Sequence, residues 1–452
     1  MKLKAGFLKR VLLTAMTMSI IGSSAAQAAP ENLFGYTVVN SGYSQGLAGA
    51  ISGERTSNDP TTFTSSTKVT GLNGDPAIFN FFQGNESRLV LRQYNYTPSA
   101  PANKIIDPLA SSWTPLASPS WSNTANMHAV ATKGNWLYST CYDLARISVV
   151  DMDSSYAEST TLPTYQFPTS WPSISLPSTA ECHGEGLAVV GNYLYALFTV
   201  NPNGGYSEYS NSIVVKFAIN SSTGALTYIN KLEVGKNAFT LDHYNNKLYV
   251  CALGGVQNAG SANADTRLDI IDLATFTKTS VAKTGSMTGD FRDITIVDAN
   301  TAYVFLGNYN SSFVNMVGNV YRTTVANLTS PSTWTNVSTV NSPGYLWGIY
   351  GDSNRFWFVK GNQIDIFPSL PASTSDTATK TFTPTQLGYT GGNLNSAIIL
   401  APDQTSSMAL KSATGVAKSF AAHSVLAQQA RKAAEKKTGL KTVNGQRILS
   451  FN

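Results

Sequence analysis

Apolar residues in this chain fall in short runs separated by polar turns, and the runs keep a rhythm. Residues 180–198 read AECHGEGLAVVGNYLYALF. A polar opening leads into Leu187-Ala188-Val189-Val190, a Gly191-Asn192 pair follows, and a second apolar run starts at Tyr193-Leu194-Tyr195. Two short β-rich runs around Gly-Asn predict a β-hairpin, because Gly and Asn tolerate the positive φ that tight hairpin turns require. The pattern recurs at Gly84-Asn85 before Arg88-Leu89-Val90-Leu91, at Gly134-Asn135 before Trp136-Leu137-Tyr138, and at Asn245-Asn246 before Leu248-Tyr249-Val250. It returns at Ala299-Asn300 before Ala302-Tyr303-Val304, at Ser353-Asn354 before Phe356-Trp357-Phe358, and more weakly at Pro402-Asp403 before Met408-Ala409-Leu410. The second turn residues are 50, 57, 54, 54, 54 and 49 positions apart, an interval that chance would not hold.

Each unit continues into a third strand, as in Ile147-Ser148-Val149-Val150-Asp151, Leu268-Asp269-Ile270-Ile271-Asp272 and Ile364-Asp365-Ile366. The clearer units add a fourth, such as Leu226-Thr227-Tyr228-Ile229. Four short strands per repeat of this length predict one blade of a β-propeller. Six complete units run from about 73 to 392. A seventh has only Ser396-Ala397-Ile398-Ile399-Leu400 and Met408-Ala409-Leu410, so its outer strands are expected from the N-terminal segment, at Tyr36-Thr37-Val38-Val39 and Thr67-Lys68-Val69-Thr70. Closing the ring with strands from both ends removes open sheet edges. The expectation is an all-β, seven-bladed propeller closed by N-terminal strands, with eight blades as the alternative if 42–66 holds further structure. Residues 416–437 are rich in Ala, Gln, Lys and Arg and stop before Gly439, which predicts a short basic helix. Beyond it, Asn444-Gly445 predicts a small hairpin.

The Leu-Tyr-Val type of second strand (Leu248-Tyr249-Val250, Ala302-Tyr303-Val304) and the third strand ending in Asp resemble the seven-bladed propellers of the YVTN and lactonase-like class. The class usually carries Asp-Gly at the first turn, where this chain mostly has Gly-Asn or Asn-Asn. The resemblance implies fold kinship and not an activity, since propellers host enzymes and binders alike.

Composition adds an address and excludes some partners. Lys2, Lys4, Lys9 and Arg10 precede a short apolar run, and Ala26-Gln27-Ala28 is a small-residue cleavage site. This predicts a signal peptide over 1–28, a propeller domain over 29–414 and a basic tail over 415–452, in a protein that is secreted or periplasmic, or held at the cell surface. No stretch is long and apolar enough for a membrane helix. Without the leader, 27 basic face 26 acidic side chains, and the tail holds seven of the basic ones against one acid. The body is therefore mildly acidic, unlike a nucleic-acid binder, and the basic tail could dock on an acidic surface. Three cysteines allow at most one internal disulfide, for which Cys141 and Cys182 are the expected pair.

Counting back from the hairpin turn puts the blades in register. Six residues before it lie Ile78, His128, Glu185, Phe239, Asp293 and Trp347, and eight before it Pro76, Asn126, His183, Asn237, Phe291 and Tyr345. One channel mouth would then gather His128, His183, Glu185 and Asp293 with Phe239 and Trp347 as apolar walls, the mixture that small-molecule sites show. Arg292 could receive a carboxylate or sugar acid, or brace two blades through Asp293.

Two functions stand. In the first, an exported propeller recognises a protein or glycan partner without chemistry. It rests on the intact repeat, on the lack of a catalytic signature, and on aromatics in or beside loop insertions: Trp113, Trp121, Tyr165, Trp171, Tyr206 and Tyr209. In the second, a hydrolase or lactonase-like enzyme uses Glu185 or Asp293 beside His128 as acid and base, with a divalent metal on His128, His183 and Glu185 as a variant. The sequence requires no cofactor for either.

Overall fold

A computed structural model of the chain describes residues 30–400, apart from 43, 55–61, 94–102, 123–125, 163–164, 169–175, 177–179, 204–207, 256–259, 313–314, 344–346 and 353–354, together with 440–443 and 446–449. Seven separate sheets follow one another as blades. Their first strands are Ala77–Gln83, Met127–Lys133, Glu181–Val190, Ala238–Tyr244, Asp290–Asp298, Trp347–Gly351 and Asn393–Ile399, here blades 1 to 7. These strands neighbour one another from blade 7 through blade 1 and on to blade 6, and so line the inside of the ring.

The turns behave as their residues dictate. Gly84, Gly134 and Gly191 have φ of 60°, 58° and 62°, and both Asn245 and Asn246 are also positive, the backbone a two-residue hairpin needs. The Asp that ends a third strand is an Asx cap: Asp272 accepts from the backbone N–H of Ala274 (2.8 Å) and Thr275 (3.2 Å), turning the chain into the fourth strand.

Middle strands read as continuous apolar runs because both faces of each blade are covered. Tyr193–Asn201 is buried at every position but the first. The core is accordingly a ring of clusters between blades. Leu187, Phe198 and Phe217 of blade 3 pack with Ala129, Tyr138 and Ile147 of blade 2, and the opposite face of blade 3 packs with blade 4 through Leu197, Val214, Leu241 and Val250.

Closure departs from the expected two strands from each end. Glu31–Val39 pairs directly with the inner strand Asn393–Ile399, followed outward by Gln45–Gly53 and Thr64–Asn73. Blade 7 thus takes one strand from the C-terminal side and three from the N-terminal side, and 42–66 contributes a strand of this blade rather than an eighth blade. Met408-Ala409-Leu410 and the helix expected over 416–437 lie outside the described residues. Leu440–Val443 pairs with Gln446–Leu449.

Gln45–Gly53 is a Gly- and Ala-rich strand because of what it meets. A Cβ at Gly49 would lie 2.4 Å from the Tyr36 hydroxyl and 2.5 Å from the Ser66 carbonyl. That hydroxyl is itself fixed on the Leu387 carbonyl at 3.1 Å. Gly49→Ala is expected to destabilise the protein by about 1–3 kcal/mol through overpacking, read as a lower denaturant midpoint with unchanged slope.

Candidate functional site

Five inner strands carry a bulge close to their start, the one in blade 7 at Asn395. In blade 2 the register passes from Met127 opposite Cys141 to Ala129 opposite Thr140, leaving His128 as the extra residue. Blade 3 does the same around Glu185 and Gly186, blade 4 at Phe239 and blade 5 at Arg292. Bulges re-aim side chains and recur beside functional sites. Counting from the turn finds three of these residues but names Asp293 in blade 5. A second register shift between Ile296 and Asp298 adds one residue there, so Arg292 is the equivalent of Glu185.

His128, Glu185 and His183 come together at the junction of blades 2 and 3. His128 Nδ1 lies 2.9 Å from Glu185 Oε2, with both side chains buried. Tyr142, just past the second strand of blade 2, stands between the two imidazoles. Its ring stacks on His128 at 4.5 Å and on His183 at 4.0 Å between centroids. His183 Nδ1 is 3.3 Å from the Tyr142 carbonyl, and Thr140 Oγ1 donates to the Glu185 carbonyl at 3.2 Å. Composition gave no reason to single out Tyr142; an aromatic directly after a second strand that ends beside the next inner strand was the available signal.

Burial pushes the Glu185 carboxyl well above its ordinary value of 4.5, and a hydrogen bond from Thr199 offsets part of this. The folded protein therefore holds this proton more tightly than the unfolded chain does. The resulting stabilisation is complete below the ordinary value and is withdrawn as pH rises through the raised one. Glu185→Gln should flatten this loss, checked by comparing urea midpoints of the two proteins across acid to neutral pH.

The other candidates have different partners. The Asp293 carboxylate accepts from the backbone N–H of Ile294 and of Ile349, both at 2.9 Å, and so ties blade 5 to blade 6. Trp347 opens the inner strand of blade 6, opposite Lys360. Phe239 packs with Leu253 apart from the clusters between blades. The metal alternative on His128, His183 and Glu185 does not fit, because the Tyr142 ring separates the imidazoles and prevents them from meeting on one ion. Among the described residues, no three His, Cys, Asp or Glu side chains are grouped to hold a metal.

Two further expectations are corrected. Cys141, Cys182 and Cys251 are thiols, so the Cys141–Cys182 disulfide is not formed. Cys182 packs against the apolar cluster between blades 2 and 3. Burial pushes both Cys141 and Cys182 up to about 12, which disfavours the thiolate at neutral pH. The insertion aromatics are core residues. Trp113, Trp121, Tyr165 and Tyr209 are all buried. The indoles of Trp113 and Trp121 donate to the Pro108 and Tyr156 carbonyls, and the Tyr165 hydroxyl accepts from the backbone N–H of Leu226. Trp171 and Tyr206 lie outside the described residues.

No family model matches the chain, and no curated protein is similar to it. Solved structures are. A candidate 6-phosphogluconolactonase from Bacteroides fragilis superposes with a TM-score of 0.52 at 14% identity, over 84% of this chain and 99% of that one. A second, from Bacteroides uniformis, gives 0.51 at 11% identity, over 78% of this chain and 99% of that one. The fold is that of a lactonase-like propeller. At these identities the likeness extends to the architecture and not to the chemistry of the mouth. Among the described residues, no helix is long and apolar enough to cross a membrane.

Proposed function

We propose that this protein is an exported binding propeller that captures a small polar ligand, such as the end of a glycan, at the mouth between blades 2 and 3. The observation that carries this reading is the convergence of His128, Glu185 and His183 on Tyr142, from inner strands bulged at His128 and at Glu185. Ladder hydrogen bonds are given up at those bulges, and the freed positions hold polar side chains that an apolar core would exclude. Recognition by the insertion loops loses support, since four of their six aromatics are buried.

One observation favours a hydrolytic version of the same site. A buried carboxyl with a raised pKa, hydrogen-bonded to an imidazole, is the arrangement of a general acid or base. Esters and lactones are the substrates it would suit. A panel of monosaccharides, glycan ends, esters and lactones, read by thermal shift and by product formation, separates the two. Binding without turnover supports capture, and turnover lost in Glu185→Gln supports hydrolysis. Binding that persists unchanged in both His128→Ala and Glu185→Gln contradicts the site itself.

A further inference from the structure

The bulges of blades 2 to 5 place His128, Glu185, Phe239 and Arg292 at matching positions in four successive blades, and therefore on one ring around the channel axis. An acid–base pair, an apolar side chain and a guanidinium share that ring. We propose that Arg292 is the anion receptor of the channel, and that its ligand is a small molecule bearing a carboxylate on an apolar body. The inference rests on the channel mouth being the ligand site.

Arg292 is 4% exposed. Its Nε donates to the Gly307 carbonyl at 2.6 Å, and its guanidinium lies 5.4 Å from the centre of the Tyr309 ring. Nη1 is buried and meets no acceptor among the described residues. A guanidinium offers five N–H donors in a planar fork, and leaving such a buried charge unanswered is costly. Burial lowers the Arg292 pKa; Tyr309 and then Asp290, two residues earlier, offset part of this, and Asp290 is the carboxylate of that pair. Yet Asp290 already accepts from the backbone N–H of Asn263 at 2.6 Å and from its side-chain amide at 3.2 Å, and it forms no ion pair with Arg292 among the described residues. Burial also pushes the Asp290 carboxyl up to about 6, which weakens it as a counter-charge. Lys283 adds a second cation acting on the same Asp290. Asp293 is committed to two backbone amides. Arg292 Nη1 is therefore a buried charged donor in want of an acceptor.

The backbone around the fork is fixed. Gly289 adopts φ 95°, and a Cβ there would lie 2.5 Å from the Gly307 nitrogen, so the two strands touch where Gly307 receives Arg292. On the adjoining blade Thr240 Oγ1 donates to the Arg292 carbonyl at 2.9 Å, and the residue before it is Phe239, packed with Leu253. A planar carboxylate matches the guanidinium fork, and the Phe239–Leu253 pair supplies an apolar surface on the next blade.

Sodium benzoate and neutral benzamide, which share a ring and differ in charge, test this by thermal unfolding of the protein at matched ionic strength. Benzoate should raise the melting temperature with dose and benzamide should not. Arg292→Met should abolish the benzoate effect, and Asp290→Asn, which removes the competing carboxylate, should tighten it about tenfold. Equal shifts with benzoate and benzamide, or benzoate protection retained in folded Arg292→Met, would overturn the proposal. If Arg292→Met does not fold, Asp290→Asn decides: an unchanged benzoate affinity also overturns it. Failure here is distinguishable from failure of the blade 2–3 site. A His128→Ala protein that keeps both its ligands from the panel and its benzoate shift refutes that site and leaves the Arg292 receptor standing.

Discussion

A chain lacking residues 30–39 will not reach a folded propeller. This stretch holds Glu31–Val39, the strand that joins the C-terminal inner strand of blade 7 to the rest of that blade. Leu33, Phe34, Tyr36, Val38 and Val39 are all buried in it. At about 1.5–3 kcal/mol for each fully buried side chain, their loss equals the whole stability of a typical domain, about 5–15 kcal/mol. The strand also reaches its neighbours. Phe34 stacks on Trp357 of blade 6 with ring centroids 4.6 Å apart, and the Asn32 amide donates to the Pro108 and Ala110 carbonyls beyond blade 1. Near-ultraviolet circular dichroism and limited proteolysis should show loss of fixed packing. A peptide of residues 30–40 added during refolding should restore part of it, because the gap it fills is a strand between two open edges. Native-like packing in the truncated chain alone would mean that blade 7 closes in another way.

Arg92→Ala should cost about 3–5 kcal/mol, the range for removing one partner of a buried ion pair. Arg92 and Asp75 are 1% and 0% exposed, with 3.6 Å between Nη2 and the carboxylate. Arg92 also donates to Asn126 Oδ1 at 2.7 Å and to the Met127 carbonyl at 2.9 Å, entering blade 2. On the other side Asn395 of blade 7 donates to the Asp75 carboxylate and to the Pro76 carbonyl. One guanidinium thus couples the closing blade, blade 1 and blade 2. Alanine leaves the Asp75 carboxylate buried without its guanidinium partner. In a cycle built from Arg92→Met and Asp75→Asn, the double variant should lose much less than the sum of those two single losses, since neither charge is then left behind. Chemical denaturation of the four proteins gives the comparison, and strict additivity would show that the pair is not coupled.

The interval between hairpin turns made the propeller and its blade number legible, because the turns of blades 1 to 4 need Gly or Asn at positive φ and each middle strand must be apolar on both faces. Gln45–Gly53 was hidden for the converse reason. Its Gly and Ala residues answer to Tyr36 and to the Ser66 backbone, contacts that exist only after closure. Alignment of His128, Glu185 and Phe239 was readable by counting, whereas the extra residue in blade 5 shifted the count from Arg292 to Asp293. Tyr142 and Arg92 could not be ranked from local pattern, since their partners come from other blades. Trp113 and Trp121 looked like surface aromatics because they sit in polar insertions, and those insertions fold back onto the propeller.

Ligand capture between blades 2 and 3 is tested most directly by native mass spectrometry of the protein starting at Ala29, recovered from an exporting host and mixed with the ligands that the panel selects. The expected result is a noncovalent adduct on the wild type that disappears when the proteins are denatured and is absent from folded His128→Ala. An adduct of equal abundance on both proteins would contradict the site.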